Sequence, residues 1–378
     1  MKVLHLINNL KREGAQVMVS NLVAAKNKDN VEYIICVRQP GGALTEKIKQ
    51  QGVMVIEPSS YFGFRQLYKS IFFIKKACKD NHIDCIHAHM ADAAVLGWIV
   101  CGQLKLPLII SHHGHDILLK CSVICRFVYY LLLNFSARYA AMNTVVSHSV
   151  SDRVRKLLFL SRAQIQVISN GVQIPDISLV RLDLYVYEAA CDTVLKLVTV
   201  GRLVSLKGHK QLIQAMSQLV NRFPNIGLTI VGGGELEHEL RQLTINLGLE
   251  KHIHFTGAID QVSDILKQSD LYISTSTSEG MPVSILEAMS WCIPVIASDI
   301  PGNRSVVRPQ DTGVLYELNN IGDLVSKVIN VVSDRNLRVK ITQRARLMVE
   351  QEYSSEVAEQ AYQELYYKLD AKQVMSVT

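Results

Sequence analysis

Apolar residues recur along the chain in short runs, at residues 3–7, 33–37, 53–56, 84–87, 108–111 and 145–146. Each run has strand length, and the stretches between them, such as 64–79 and 91–103, have helix length. Strands that alternate with helices predict a doubly wound parallel α/β sheet. The pattern then restarts, with runs at 195–201, 227–231, 253–255, 271–275 and 295–297. Two Rossmann-like domains are therefore expected, 1–175 and 176–378, joined at about 175–193. Ligands of such sheets sit beyond the carboxyl ends of strands, so residues that directly follow a strand carry the functional reading.

The most informative stretch is 274–299, STSTSEGMPVSILEAMSWCIPVIASD. It reads as a strand end, a tight turn containing Gly280, and a helix from Pro282 to Trp291. Proline suits the first helical position because its missing N–H would have no intrahelical acceptor there, and Gly280 permits a turn closed to other residues. The amides of Met281, Val283 and Ser284 should then project from a helix N-terminus, a setting suited to a phosphate. Glu279 and Glu287 bracket the turn, roughly 8 Å or more apart along the helix axis. Ionised carboxylates accept several hydrogen bonds and donate none, which suits the paired hydroxyls of a ribose or a sugar ring.

Other strand ends supply further candidates. Gly14 precedes the first helix and would let a phosphate or an acceptor approach the backbone. His87 and His89 share one face of a strand, near Asp92, and read either as half of a metal site or as cleft and core histidines. Ser111 to Asp116, SHHGHD, concentrates three histidines after the 108–110 run. In the second half Arg202 leaves a strand and Lys207 opens the next helix, so two cations can enter the crevice of the 274–299 turn and neutralise a diphosphate. Gly232-Gly233-Gly234-Glu235 lacks the GxGxxG spacing and a ribose-anchoring acid, which argues against a nicotinamide cofactor. Gly257 and Ala258 close another strand.

Charge is unevenly divided. Residues 1–170 hold 21 Lys and Arg against 10 Asp and Glu, whereas 171–378 hold 19 against 24. The basic half calls for an anionic partner, such as an anionic membrane leaflet or a lipid diphosphate, and charge alone does not separate these from nucleic acid. Segments 61–79 and 117–139 mix basic with aromatic residues, as surface-lying helices do. No apolar run reaches the length of a membrane span, and the first residues lack the layout of a cleavable signal. The eight cysteines are scattered without a CxxC pair and read as reduced core residues of a cytosolic protein.

The motif EGMPVSILEAM followed by PVIASDIPGN resembles the donor-binding signature of family 4 retaining glycosyltransferases, which have the GT-B fold of two Rossmann-like domains facing a cleft. The resemblance runs from about Met1 to about Gln360. It implies that Arg202 and Lys207 meet the donor diphosphate, that Gly257 and Ala258 hold the nucleobase through backbone groups, and that Glu279, Gly280, Met281, Pro282, Val283 and Glu287 complete the donor site. His113, in the His-Gly pair His113-Gly114, would reach the donor sugar. The catalytic set implied is His113, Glu279, Arg202 and Lys207, with no metal and no other cofactor. Gly14 is carried over alone, because Glu13 stands where the family has a second glycine, and Trp291-Cys292 replaces small residues. The last helix, about 355–370, is expected to pack back towards the N-terminal domain.

The expected activity is transfer of a hexosyl unit from a nucleotide-diphosphate sugar, a UDP-sugar in preference to a GDP-sugar. The acceptor would be lipid-linked or a glycan, in bacterial surface polysaccharide synthesis. The protein would be cytoplasmic or peripheral on the inner membrane face, with no nucleic-acid partner, and closure of the domains would exclude water. The rival readings are a sugar-nucleotide epimerase or hydrolase of the same fold, and a catalytically silent nucleotide-binding subunit of a membrane assembly.

Overall fold

The computed structural model describes residues 1–11, 13–25, 31–60, 67–114, 123–176, 178, 194–259 and 261–377. The chain forms two compact units, one of Met1–Gly171 with Ser355–Thr378 and the other of Val172–Ser354.

The first unit contains β1 (Lys2–Ile7), α1 (Gly14–Ala24), β2 (Glu32–Val37), α2 (Thr45–Gln50), β3 (Met54–Ile56), α3 (Leu67–Asp80), β4 (Cys85–His89), α4 (Met90–Leu104), β5 (Leu108–His112), α5 (Val123–Tyr139), β6 (Met142–Val145), α6 (His148–Leu158) and β7 (Ile165–Val167). Its seven strands lie in the order β3-β2-β1-β4-β5-β6-β7, and every pairing is parallel. The order reverses between β1 and β4, where His5 lies opposite His87. Both faces of the sheet are covered, so β4 and β5 are buried along their whole length.

The second unit contains β8 (Leu195–Val200), α7 (His209–Arg222), β9 (Ile226–Val231), α8 (Glu237–Asn246), β10 (Ile253–Gly257), α9 (Val262–Leu266), β11 (Leu271–Ser274), α10 (Val283–Ser290), β12 (Val295–Ser298), α11 (Pro301–Arg304), β13 (Val314–Tyr316), α12 (Ile321–Ser333) and α13 (Arg335–Glu352). Its parallel order is β10-β9-β8-β11-β12-β13, reversing between β8 and β11. Side-chain caps start its last helices: Asn320 accepts from the Asp323 amide and Asp334 from the Leu337 amide, each at 2.9 Å.

The final helix, α14 (Ser355–Val377), belongs to the first unit. Its Tyr362, Leu365, Tyr366 and Leu369 are buried in one apolar cluster with Val3, Ile35 and Ile109 from the sheet. Two strands, β7 and β13, were not expected from the apolar runs. The strand expected at 145–146 begins earlier, at Met142, and ends at Val145.

Candidate active site

In the second unit the loops that follow β8 and β11 meet at the point of reversal. Thr275 Oγ1 donates to the Lys207 carbonyl at 3.0 Å, and the Thr277 amide to the Leu206 carbonyl at 2.8 Å. Gly208 makes this approach possible: its φ is +65°, and a Cβ there would lie 2.1 Å from the Thr275 carbonyl oxygen. The loop thus delivers Lys207 Nζ to Glu279 Oε1 at 2.5 Å. Ser276 Oγ donates to the same oxygen at 2.7 Å. Lys207 and Glu279 retain 23% and 13% side-chain exposure, so the pair is largely shielded and its charge-assisted bonds are stronger than those of a surface pair.

Arg202 is exposed at the head of the β8 loop, and its backbone is fixed from beneath. The Arg202 carbonyl accepts from the Val204 amide at 2.9 Å and lies 3.2 Å from His209 Nε2. The triple glycine supplies the remaining support. A Cβ on Gly232 would meet the Gly201 carbonyl oxygen at 2.0 Å, and one on Gly234 the Leu203 carbonyl oxygen at 2.5 Å. These glycines let the loops after β8 and β9 lie backbone to backbone, a role that their spacing alone did not reveal. Gly257, at φ +68°, accepts from the Gly232 amide at 3.0 Å, and exposed Ala258 follows it beside Gly233.

Glu279 is backed in the same way. A Cβ on Gly302 would lie 2.4 Å from the Glu279 carbonyl oxygen. Ser298 Oγ donates to the Ser276 carbonyl, and buried Asn303 donates to the Ser298 carbonyl at 2.9 Å and to its Oγ at 3.0 Å. Pro282 is not the first helical residue but the cap before it, and its carbonyl accepts from the Ile285 amide at 3.1 Å. The helix is correspondingly shorter than expected, Val283 to Ser290, and positive φ falls on Gly208, Gly232 and Gly257 rather than on Gly280. Val283 and Ser284 occupy the first turn, whose amides have no intrahelical acceptor. Beneath them the Tyr272 hydroxyl donates to Ser284 Oγ at 2.8 Å. Burial raises the Tyr272 phenol pKa, and the charges of Glu279 and of half-buried Glu287 raise it further, so both carboxylates lie within electrostatic reach of one buried ring.

The reversal point of the first unit lies at β1 and β4. Gly14 opens α1 with nothing within 4 Å of where its Cβ would be. Asn8 donates to Asp92 at 2.9 Å and accepts from Arg38 at 2.9 Å, and Tyr129 donates to the other Asp92 oxygen. Beside these lies a histidine cluster. His5 Nδ1 is 2.9 Å from His89 Nε2, and His89 Nδ1 is 3.2 Å from His113 Nε2. His87 lies between Tyr366 Oη and Ser111 Oγ, each at 2.7 Å. Burial lowers His5 and His113 to about 3, and holds His87 and His89 well below their ordinary value, so all four are neutral at pH 7. His112 points elsewhere, to Asn143 at 3.0 Å. His115 and Asp116 fall outside the described residues, as do residues 61–66 and 117–122 of the two basic aromatic segments.

His5 supplies the third imidazole that the His87–His89 pair lacked in sequence. One ligand atom from each of the three falls within 4.8 Å of the others. Both ring nitrogens of His87 and of His89 are already engaged, however, so a metal would have to displace those hydrogen bonds.

The description "Glycosyltransferase Family 4" matches residues 12–174, and "Glycosyl transferases group 1" matches residues 190–348. The chain is 28% identical, over 72% of both chains, to UDP-Gal:alpha-D-GlcNAc-diphosphoundecaprenol alpha-1,3-galactosyltransferase of Escherichia coli. It is 29% identical to the E. coli O-antigen biosynthesis glycosyltransferase WbnH, over 90% of this chain and 94% of that one. The fold matches Anabaena Alr3699/HepE, solved with UDP-glucose, at a TM-score of 0.81 and 23% identity, over 97% of this chain and 100% of that one. With both halves matched and the two-sheet architecture shared, the chain belongs to the family 4 glycosyltransferases of GT-B fold.

Proposed function

We propose that the protein is a retaining hexosyltransferase that takes a UDP-sugar in preference to a GDP-sugar and serves bacterial surface polysaccharide synthesis. The observation that carries this reading is the joining of the loops after β8 and β11 through Lys207 and Glu279 at the tip of α10. A donor diphosphate there is neutralised by Arg202, Lys207 and the first-turn amides, which stabilise the charge that develops on the leaving oxygens without a metal ion. Glu279 holds sugar hydroxyls, Glu287 the ribose diol, and Gly257 and Ala258 the base. The resemblance to the family assigns His113 a contact with the donor sugar. A lipid-linked acceptor fits the diphosphoundecaprenol substrate in the name of the E. coli relative.

An anionic inner leaflet is the proposed docking surface. Helix α3 exposes Tyr68, Lys69, Phe72, Lys76 and Lys79, and α5 exposes Phe127, Leu131, Phe135, Arg138 and Tyr139 at near four-residue spacing. Such faces insert rings while their cations meet lipid phosphates. No helix among the described residues is long and apolar enough to cross a membrane.

Thermal shift with a panel of UDP- and GDP-sugars tests the donor assignment. A UDP-sugar should raise Tm at concentrations where GDP-sugars do not, and Glu279→Gln should reduce the rise. Stabilisation by GDP-sugars alone overturns the preference, and stabilisation by none overturns the site. Incubation of the donor alone separates a transferase, which waits for its acceptor, from an epimerase or hydrolase. Sedimentation with phosphatidylglycerol vesicles, against a Phe72→Ser, Phe135→Ser variant, tests the membrane surface.

A further inference from the structure

We infer that His5, His89 and His113 form one hydrogen-bonded chain with a single tautomeric direction, in which buried His5 and His89 act as positioning residues that make His113 present an N–H at Nδ1. A neutral imidazole has one N–H and one lone pair. The two contacts, His5 Nδ1 to His89 Nε2 and His89 Nδ1 to His113 Nε2, each need one of either kind. Only two arrangements satisfy both contacts: every Nδ1 carries the proton, or every Nε2 does. One ring cannot turn over its tautomer alone.

The ends of the chain decide between them. His5 Nε2 and His113 Nδ1 are both buried and have no hydrogen-bond partner among the described residues. In either arrangement one end is an N–H and the other a bare lone pair. A buried donor left unpaired is the rarer and costlier defect. His5 is fully buried within the sheet, whereas the His113 side chain as a whole is half-buried in the loop after β5, so a side-chain adjustment suffices to bring its covered Nδ1, and not His5 Nε2, to an acceptor from a ligand or water. The N–H therefore belongs at His113, and all three rings carry their proton on Nδ1.

His87 takes the opposite form. The Tyr366 hydroxyl has a proton to place and donates it to His87 Nδ1, so His87 Nε2–H points to Ser111 Oγ, and Ser111 in turn bonds Thr144 Oγ1 at 2.5 Å. His87 is thus held apart from the chain although its ring centroid is only 4.2 Å from that of His89.

The consequence for the reaction rests on the role proposed for His113: its Nδ1–H donates to an oxygen of the donor sugar, and its lone pair, occupied by His89, is not available as a base. The tautomers are measured without substrate, so they stand or fall independently of that role. Long-range ¹H–¹⁵N correlation spectra of the full-length, ¹⁵N-histidine-labelled protein report them, with assignment by single His→Asn variants. Nδ1–H on His5, His89 and His113, with Nε2–H on His87, is the expected pattern. His5→Asn keeps a donor towards His89 and should leave His113 unchanged, whereas His5→Asp presents a carboxylate that only accepts, which requires Nε2–H on His89 and should shift His113 to Nε2–H. Nε2–H at His113 in the unmodified protein overturns the inference, as does a His113 tautomer indifferent to His5→Asp. Should His5→Asp fail to fold, the spectrum of the unmodified protein decides the question.

Discussion

Acidification to pH 5.5 should destabilise the first unit selectively. His5, His87, His89 and His113 are kept neutral by burial, His5 and His113 down to about 3, whereas an unfolded histidine titrates at 6.5. The sign follows from proton counts. Below pH 6.5 the unfolded chain binds protons that the fold refuses, so stability is complete above 6.5 and falls with pH down to the folded value. Between pH 7.5 and 5.5 each such histidine costs about 1.4 kcal/mol, because the unfolded form is then roughly nine-tenths protonated. Four histidines together cost on the order of 5 kcal/mol, comparable with the whole stability of an ordinary domain. His112, also lowered by burial, adds in the same direction. The chain has two tryptophans, Trp98 in the first unit and Trp291 in the second, so Trp291→Phe leaves a reporter of the first unit alone. With a urea m-value of about 2 kcal/mol/M, the Trp98 midpoint should fall by roughly 2 M or more between pH 7.5 and 5.5. Trp98→Phe reports the second unit, where buried His209, lowered to about 4, should bring a loss nearer 0.7 M from the same ~1.4 kcal/mol. A Trp98 midpoint that moves no more than that of Trp291 would show that the four histidines do not share the neutral environment described.

Other expectations concern the second unit. Lys207→Met removes a charge-assisted bond of about 1.5–3 kcal/mol and should lower kcat/KM roughly 10- to 150-fold, read in a transfer assay with the donor identified by thermal shift. Gly302→Ala forces a Cβ to within 2.4 Å of the Glu279 carbonyl oxygen. It should abolish donor-induced stabilisation while the Trp98 unfolding midpoint stays in place. Asn303→Ala deletes the two bonds to Ser298 and should cost roughly 1–3 kcal/mol, seen as a lower Trp291 midpoint. EDTA should leave transfer unchanged, and restoration by added Mg²⁺ of activity lost to EDTA would contradict charge neutralisation by Arg202 and Lys207.

What the sequence revealed, and what it did not, divides along a physical line. Strands buried on both faces announce themselves as apolar runs, but β7 and β13 are three residues long, and β7 is only half-buried, so edge pairing with β6 and β12 defines them rather than any period of their own. The proposed donor turn could be picked out because its residues are adjacent, with Glu279, Gly280 and Pro282 lying at a strand end. Its supports were not. Gly234 is required by a carbonyl at Leu203 and Gly302 by one at Glu279, and neither glycine's own neighbourhood contains that requirement. The same holds in the first unit. His5 sits inside an apolar run and reads as an interruption of it, yet it is placed opposite His87 because β1 pairs with β4, and beside His89, 84 positions away. Alternation within a strand says which face a side chain takes and nothing about which strand lies alongside. The residues proposed to do chemistry could therefore be listed from local pattern, whereas the residues that orient them are fixed by strand order, and perturbing the sheet register should disturb the orientation of His113 before it removes any of the proposed site residues.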